Sequence, residues 1–325
     1  MILAGDVGGT KTLLALMNPD GDRLTTVEEW SFPSRDYDGL EAVVHTAVGS
    51  RTLDLSGVCF GVAGPVVSGR CEATNLPWII DSQKLARVLG IQSVALLNDL
   101  EAMANSIERL PQDELHTLNE GNADPTGNRA LIAAGTGLGQ ALIFYDGTRF
   151  HPSASEGGHC DFAPDTDEEI RLLQFLRNEL GHVSWERVVS GMGLANLYRF
   201  VLADQKATEP DWLTTQLKSE NAGVVITRSA LDHTFEPCVA AMRLFVHLYG
   251  AEAGNLALKV MATGGVYIGG GIGPKILPYL QDGGFMDRFI AKGRYQSILA
   301  NIPVKLILNP KSALLGAAHH ASQLV

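Results

Sequence analysis

The sequence predicts an α/β protein of two domains, and three observations carry that expectation. Its 325 residues sit near the length at which a single hydrophobic core stops growing and a chain divides. Segments of strand and helix character alternate in the order βββαβαβα over the first third of the chain. Near Arg129 the opening plan of strand, glycine-threonine turn and strand begins again, an internal duplication of pattern.

The elements follow in order. Residues 2–7, 12–17 and 24–32 read as strands of an antiparallel meander, separated by Gly8-Gly9 and by Asn18-Pro19-Asp20-Gly21, both turn signals. Residues 39–48 place Leu40, Val43, Val44 and Ala47 at helical spacing, and residues 57–62 return to strand character before Gly64-Pro65. A helix at 82–89, a buried strand at 93–97 and a helix at 100–110 come next. In the second round, strands at 130–134 and 140–145 flank Gly135-Thr136-Gly137. Longer helices are expected at 168–180, 194–203 and 236–261, then a strand at 266–269 entering a glycine-rich turn. Residues 111–129 and 204–221 read as loops. A strand at 304–308 and a helix at 312–323 suit a tail that returns to the first domain. The expected division is therefore 1–110 plus 302–325 for a small domain and 111–301 for a large one.

Composition narrows the function. Hydrophobic residues make up 46% and charged residues 19%, which suits an ordinary folded core. Lys and Arg number 25 against 36 Asp and Glu, a net charge of −11, so nucleic acid is not an expected partner. An anionic ligand would need local devices: backbone amides, helix N-termini and a bound cation. Cys59, Cys71, Cys160 and Cys238 form no CxxC pair, so neither a disulfide framework nor a zinc knuckle is expected, and a reducing cytoplasm fits. Asp6 interrupts the first apolar run, no basic segment precedes it, and no stretch nears the roughly 20 apolar residues of a membrane span.

Several motifs carry chemistry. Gly5-Asp6-Val7-Gly8-Gly9-Thr10-Lys11-Thr12 has Thr10 where a Walker A loop needs glycine, and Asn18-Pro19 follows too soon for the helix that such a loop opens. It reads instead as a hairpin, either an ordinary Gly-Gly turn or one whose bare amides approach a phosphate while Asp6 organises Mg²⁺ through water. Gly135-Thr136-Gly137-Leu138-Gly139 departs from the dinucleotide fingerprint because its third glycine comes one residue too early and a strand follows, not a helix. Two such hairpins, one per domain, can grip a polyphosphate, with Thr10 and Thr136 adding hydroxyl donors.

Asn98-Asp99 joins a strand to a helix. Helix capping explains it, and so does a general base at Asp99 with Asn98 binding a hydroxylated substrate. Glu156-Gly157-Gly158-His159 and the later Glu186 offer carboxylates and an imidazole of the kind that bind vicinal hydroxyls, with plain surface charge as the alternative. The glycines of 264–273, Gly265 and Gly270 among them, allow close backbone approach to adenine and ribose or merely close packing of helix on strand.

Taken together, Asp6-Val7-Gly8-Gly9-Thr10, Leu97-Asn98-Asp99, Gly135 to Gly139, Glu156-Gly157-Gly158-His159 with Asp161-Phe162-Ala163-Pro164, Gly181-His182-Val183-Ser184 with Glu186-Arg187-Val188, and Gly265-Val266-Tyr267-Ile268 resemble the bacterial glucokinase family. That family lies within the hexokinase, heat-shock ATPase and actin superfamily, and the resemblance covers nearly the whole chain. It implies two ribonuclease-H-like domains with mixed sheets flanked by helices and the active site in the cleft between them. It implies ATP-dependent phosphorylation of glucose to glucose 6-phosphate for glycolysis, with Mg²⁺ on the ATP and no structural zinc. It further implies Asp99 as base; Asn98, Glu156, His159 and Glu186 as sugar ligands; residues 6–10 and 135–139 as phosphate loops; and an adenosine segment near 264–273. Thr74-Asn75 and Trp78 look like the loop that closes over the sugar. A homodimer is the family's expectation. Another hexose as substrate, or an ATP-driven conformational switch on the same fold, are the alternatives.

Overall fold

The structure is a computed structural model that describes residues 1–21, 23–49, 51 and 53–324. Val325, the end of the expected small domain, lies outside the described residues. The chain forms two compact units: Met1–Glu114 with His151–Ala154 and Asn309–Val325, and Leu115–Phe150 with Ser155–Leu308.

The first unit opens with β1 (Ile2–Val7), β2 (Lys11–Asp20) and β3 (Arg23–Pro33). Then come α1 (Leu40–Val48), β4 (Gly57–Val62), the small strands β5 (Val66–Val67), β6 (Arg70–Glu72) and β7 (Ile79–Asp81), α2 (Ser82–Leu89), β8 (Ala95–Asn98) and α3 (Asp99–Ser106). Its main sheet has the order β3-β2-β1-β4-β8. The first three strands are antiparallel, whereas β4 and β8 run parallel to β1. Strand periodicity explains the burial of both faces. Leu3, Val7, Leu14 and Phe60 pack with Val43 and Leu85 of α1 and α2 on one side. Ile2, Ala4, Leu13 and Ala15 meet Ala102 of α3 and Ala313 and Ala317 of the C-terminal helix Ser312–Ser322 on the other. Small residues set that second spacing, since a methyl group at Gly61 would lie 2.7 Å from Ala102 Cβ.

Local signals agree with this layout. Asp81 caps α2 by accepting from the Gln83 and Lys84 amides at 2.9 and 3.0 Å, and Gly90 ends it in the left-handed region at φ +68°. The meander is longer than expected: β2 continues through Asn18-Pro19-Asp20 and is followed by Gly21 at φ +57°. Helix α3 stops at Ser106, short of the expected Leu110.

The second unit contains β9 (Leu115–Asn119), β10 (Arg129–Ala134), β11 (Leu138–Tyr145), α4 (Asp167–Leu180), α5 (Gly191–Gln205), α6 (Asp211–Ser219), α7 (Ala222–Leu231) and the long α8 (Glu236–Val260), and its sheet takes in β12 (Phe150–Ser155), whose residues His151–Ala154 are grouped with the first unit. After these come β13 (Gly265–Gly269), α9 (Leu277–Leu280), α10 (Gly284–Ile290), α11 (Gln296–Ala300) and β14 (Val304–Ile307). The sheet order is β12-β11-β10-β13-β14-β9. Here too an antiparallel hairpin is continued by parallel strands, β13 on β10 and β14 on β13.

Helix α8 is buried along most of its length and ties the helical layer to the sheet. Its Tyr249, fully buried, accepts from the Ala134 amide at 3.1 Å and donates to the Ile132 carbonyl at 3.2 Å. Gly250 and Gly254 let the α10 backbone approach at the Phe285 and Phe289 carbonyls. Three expectations change. Residues 111–129 hold β9, an edge strand paired antiparallel to β14, and residues 204–221 hold α6. Residues 304–307 do not return with the tail; parallel pairing with β13 places them in the second sheet, and only the C-terminal helix joins the first unit.

Candidate active site

In each unit most of the residues singled out in the sequence gather at the carboxyl ends of parallel strands, where an open α/β sheet offers backbone groups that no neighbouring strand uses. In the first unit, β1 ends at Asp6-Val7, β4 at Val62 just before Ala63-Gly64, and β8 at Asn98. The hairpin after β1 is closed by the Gly8 amide donating to the Lys11 carbonyl at 3.0 Å. Neither Gly8 nor Gly9 adopts a left-handed φ. Gly9 is required by proximity instead, because a methyl group there would lie 2.6 Å from Asn75 Cβ. Asn75 is thus seated against the first hairpin, and Thr10 is exposed.

A buried serine braces that hairpin from behind. Ser34 Oγ donates to the Gly8 carbonyl at 2.7 Å and sits 3.0 Å from Thr12 Oγ1, while its amide donates to the Thr10 carbonyl at 3.0 Å. Sequence reading missed Ser34; its only signal is a serine just after a strand that pairs with the hairpin. Asp6 is half-buried, and burial pushes its carboxyl up to about 6 against the pull of Lys11. Trp78, placed by the resemblance in the loop that closes over the sugar, is not exposed on that loop. It is 2% exposed, packs in the core and donates through Nε1 to the Tyr37 carbonyl at 3.0 Å.

Asn98 caps α3, and a capping box is complete. Its side chain accepts from the Leu100 amide at 2.9 Å, and Glu101 accepts from the Asn98 amide at 3.2 Å. Asn98 Nδ2 also donates to the Gly64 carbonyl at 3.1 Å, which joins the ends of β4 and β8. Capping fixes Asn98 and leaves a role for Asp99, whose Oδ1 accepts from the Leu100 amide at 3.0 Å. Asp99 is half-buried in the first turn of a helix, where the aligned peptide dipoles favour negative charge.

In the second unit, the Gly135 amide donates to the Gly137 carbonyl at 2.9 Å, and Thr136 is exposed at the tip. The segment after α4 grips both ends of this hairpin: the Gly191 amide donates to the Gly135 carbonyl at 2.9 Å, and Glu186 Oε2 accepts from the Leu138 amide at 3.0 Å. A side chain at Gly137 would collide with Glu186. Buried Ser190 holds the grip by donating to the Glu186 carbonyl at 2.7 Å. Glu156, Gly157, Gly158 and His159 form a short 3-10 turn after β12, with Glu156 and His159 exposed and 3.9 Å apart. Gly158 rests on the Leu138 carbonyl. The sugar-type residues and the second hairpin therefore share one residue, Leu138.

Of the two glycines placed near the nucleotide, Gly270 (φ +84°) packs on the Ala134 carbonyl at the hairpin, and the Ile272 amide donates to that carbonyl at 3.3 Å. Gly265 is not brought there. It pairs with Arg129 at the opposite end of β13, buried and about 16–17 Å from Gly270 at the usual rise per strand residue. Among the described residues, no group of three or more His, Cys, Asp or Glu side chains is arranged to hold a metal ion. Asp6, a single carboxylate held back from solvent, fits a hard cation that brings oxygen ligands of its own. No helix among the described residues is long and apolar enough to cross a membrane.

These features define a class, the sugar kinases with two actin-like α/β domains. A glucokinase from an Antarctic psychrotroph superposes with a TM-score of 0.88 at 31% identity, covering 99% of this chain and 98% of that one. A ROK family glucokinase from Streptomyces griseus, solved with glucose and AMPPNP, shares the fold at a TM-score of 0.65 and 21% identity, covering 99% of both chains. Within the class, the Glucokinase family model matches residues 3–324. A glucokinase of Nostoc punctiforme is 41% identical over 340 residues, spanning 100% of this chain and 99% of its own length. One from Synechocystis is 39% identical, spanning 99% and 98%. The chain belongs to the glucokinase family.

Proposed function

We propose that this chain is an ATP:D-glucose 6-phosphotransferase that feeds glucose 6-phosphate into glycolysis, working in the cytoplasm as a homodimer. The observation that carries the reading is the meeting on Leu138 of the second phosphate hairpin with both groups of sugar-type ligands. The turn of Glu156 and His159 rests on its carbonyl, and Glu186 holds its amide. A nucleotide-driven switch needs the hairpins but has no use for those ligands.

In this reading the amides and threonine hydroxyls of Gly8-Gly9-Thr10 and Gly135-Thr136-Gly137 take the phosphates. Gly270 lets the backbone approach the adenosine. Asn75, Asn98, Glu156, His159 and Glu186 accept and donate hydrogen bonds to the sugar hydroxyls. Mg²⁺, when bound with ATP near Asp6, neutralises phosphate charge. Asp99 takes the proton of the 6-hydroxyl as that oxygen bonds the γ-phosphorus of ATP and the bond from that phosphorus to the β,γ-bridging oxygen breaks to release ADP, and the remaining work of the protein is positioning.

The test is Asp99→Asn, which keeps the fold and glucose binding by calorimetry but lowers turnover by about 10²-fold or more. Near-normal turnover in that variant removes Asp99 from the role of base. Assays with mannose, fructose and N-acetylhexosamines alongside glucose settle the hexose.

A further inference from the structure

Beneath the sugar turn lies a buried polar pair that the proposed mechanism does not use. Glu252, in the middle of α8, is fully buried, and Gln140 of β11 is 1% exposed. Gln140 Nε2 donates to Glu252 Oε1 at 2.7 Å, Asn255 Nδ2 donates to Glu252 Oε2 at 3.0 Å, and Lys259 Nζ stands 3.7 Å from Oε1. A carboxylate withdrawn from water is costly, and apolar replacements of such pairs are often neutral or stabilising. Stability therefore does not account for this pair in an otherwise apolar layer. Its geometry does.

Leu138 and Gln140 are two apart on β11 and so face the same side of the sheet. Gly157 packs on the Gln140 carboxamide oxygen and Gly158 on the Leu138 carbonyl, each so closely that even a methyl group would overlap. The turn from Glu156 to His159 thus rides on these two residues. An amide bonded through its nitrogen to a carboxyl oxygen cannot rotate without losing that bond. Glu252 accordingly fixes which atom of Gln140 the turn meets, and how high the turn stands above the sheet.

We propose that Gln140 and Glu252 are positioning residues that set the placement of the glucose-binding turn, an inference that rests on the glucose reading above. Two variants test it. Gln140→Leu with Glu252→Met removes the pair without stranding a charge. Gln140→Glu with Glu252→Gln exchanges the two groups and keeps the hydrogen bond. The His159 and Cys160 amides, which donate within the turn at 3.0 and 3.1 Å, report its order by hydrogen exchange independently of any sugar.

In the apolar variant, KM for glucose is expected to rise about tenfold, with KM for ATP within about twofold. Its turn amides should exchange about tenfold faster. The exchanged pair should bring both readouts back to within about threefold of the parent. An apolar variant with unchanged glucose KM and unchanged exchange overturns the inference, as does an equal rise in both KM values, which marks a general structural role. If the apolar variant fails to fold, the exchanged pair decides: recovered values uphold the inference, and a loss of about tenfold or a failure to fold overturns it. If the parent does not phosphorylate glucose, the functional reading fails, and hydrogen exchange alone still decides the positioning claim.

Discussion

Asp6 is expected to destabilise the empty protein, and replacing it by asparagine should reveal how much. The carboxyl sits at the end of β1, opposite Leu13 on β2 and Gly61 on β4, and burial pushes it up to about 6. In the unfolded chain such a group titrates near 3.9. Between about pH 4 and pH 6 the folded state therefore holds more protons than the unfolded state, and stability falls as pH rises across that window. About two pKa units correspond to about 3 kcal/mol, an upper bound because Asp6 keeps some access to solvent; about 1–3 kcal/mol is the working range.

Without nucleotide, Asp6→Asn should therefore be more stable than the parent at pH 8 by that amount, or about 2–5 °C in melting temperature for a chain of this length. The gain should fall to about a third of that at pH 4.5, and KM for ATP should rise, since asparagine holds a hydrated cation less well. Differential scanning calorimetry at the two pH values is the assay. A variant less stable than the parent at pH 8, or equally stabilised at both, refutes the reasoning.

Three further outcomes are expected. Glu186→Gln should raise KM for glucose but spare KM for ATP, because the new carboxamide oxygen still accepts from the Leu138 amide, whereas Glu186→Ala should raise both; steady-state kinetics in each substrate separates them. Gly9→Ala places a methyl group 2.6 Å from Asn75 Cβ and should cost about 1–3 kcal/mol in denaturant unfolding while weakening ATP binding. Asn98→Ala loses the α3 cap and the bond to Gly64, and urea unfolding should register about 1–2 kcal/mol.

The parts legible in the sequence are those with short-range causes. Both hairpins show because glycine and threonine interrupt apolar strands, and α2 shows from Ser82 to Leu89 because Asp81 and Gly90 cap it. Helix α8 is visible because Pro237 opens a long run of apolar residues at helical spacing. Strand β9 was hidden because its residues are all half-buried at an edge, so no alternation marks Leu115–Asn119. Helix α6 was hidden because it buries only Leu213.

At the site, residue types were legible and their second duties were not. The cap at Asn98 is the exception, legible from its place between strand and helix, whereas nothing local showed that Glu186 also anchors the second hairpin or that Trp78 is core. Ser34 and the Gln140–Glu252 pair act across 26 and 112 positions of sequence, where no local pattern points from one partner to the other.

The most direct test of the account is ADP release from Mg·ATP by the purified protein, measured with and without glucose. Release that depends strongly on glucose, with glucose 6-phosphate as the product, is the predicted result. ATP turnover indifferent to glucose, or none in its presence, would contradict it.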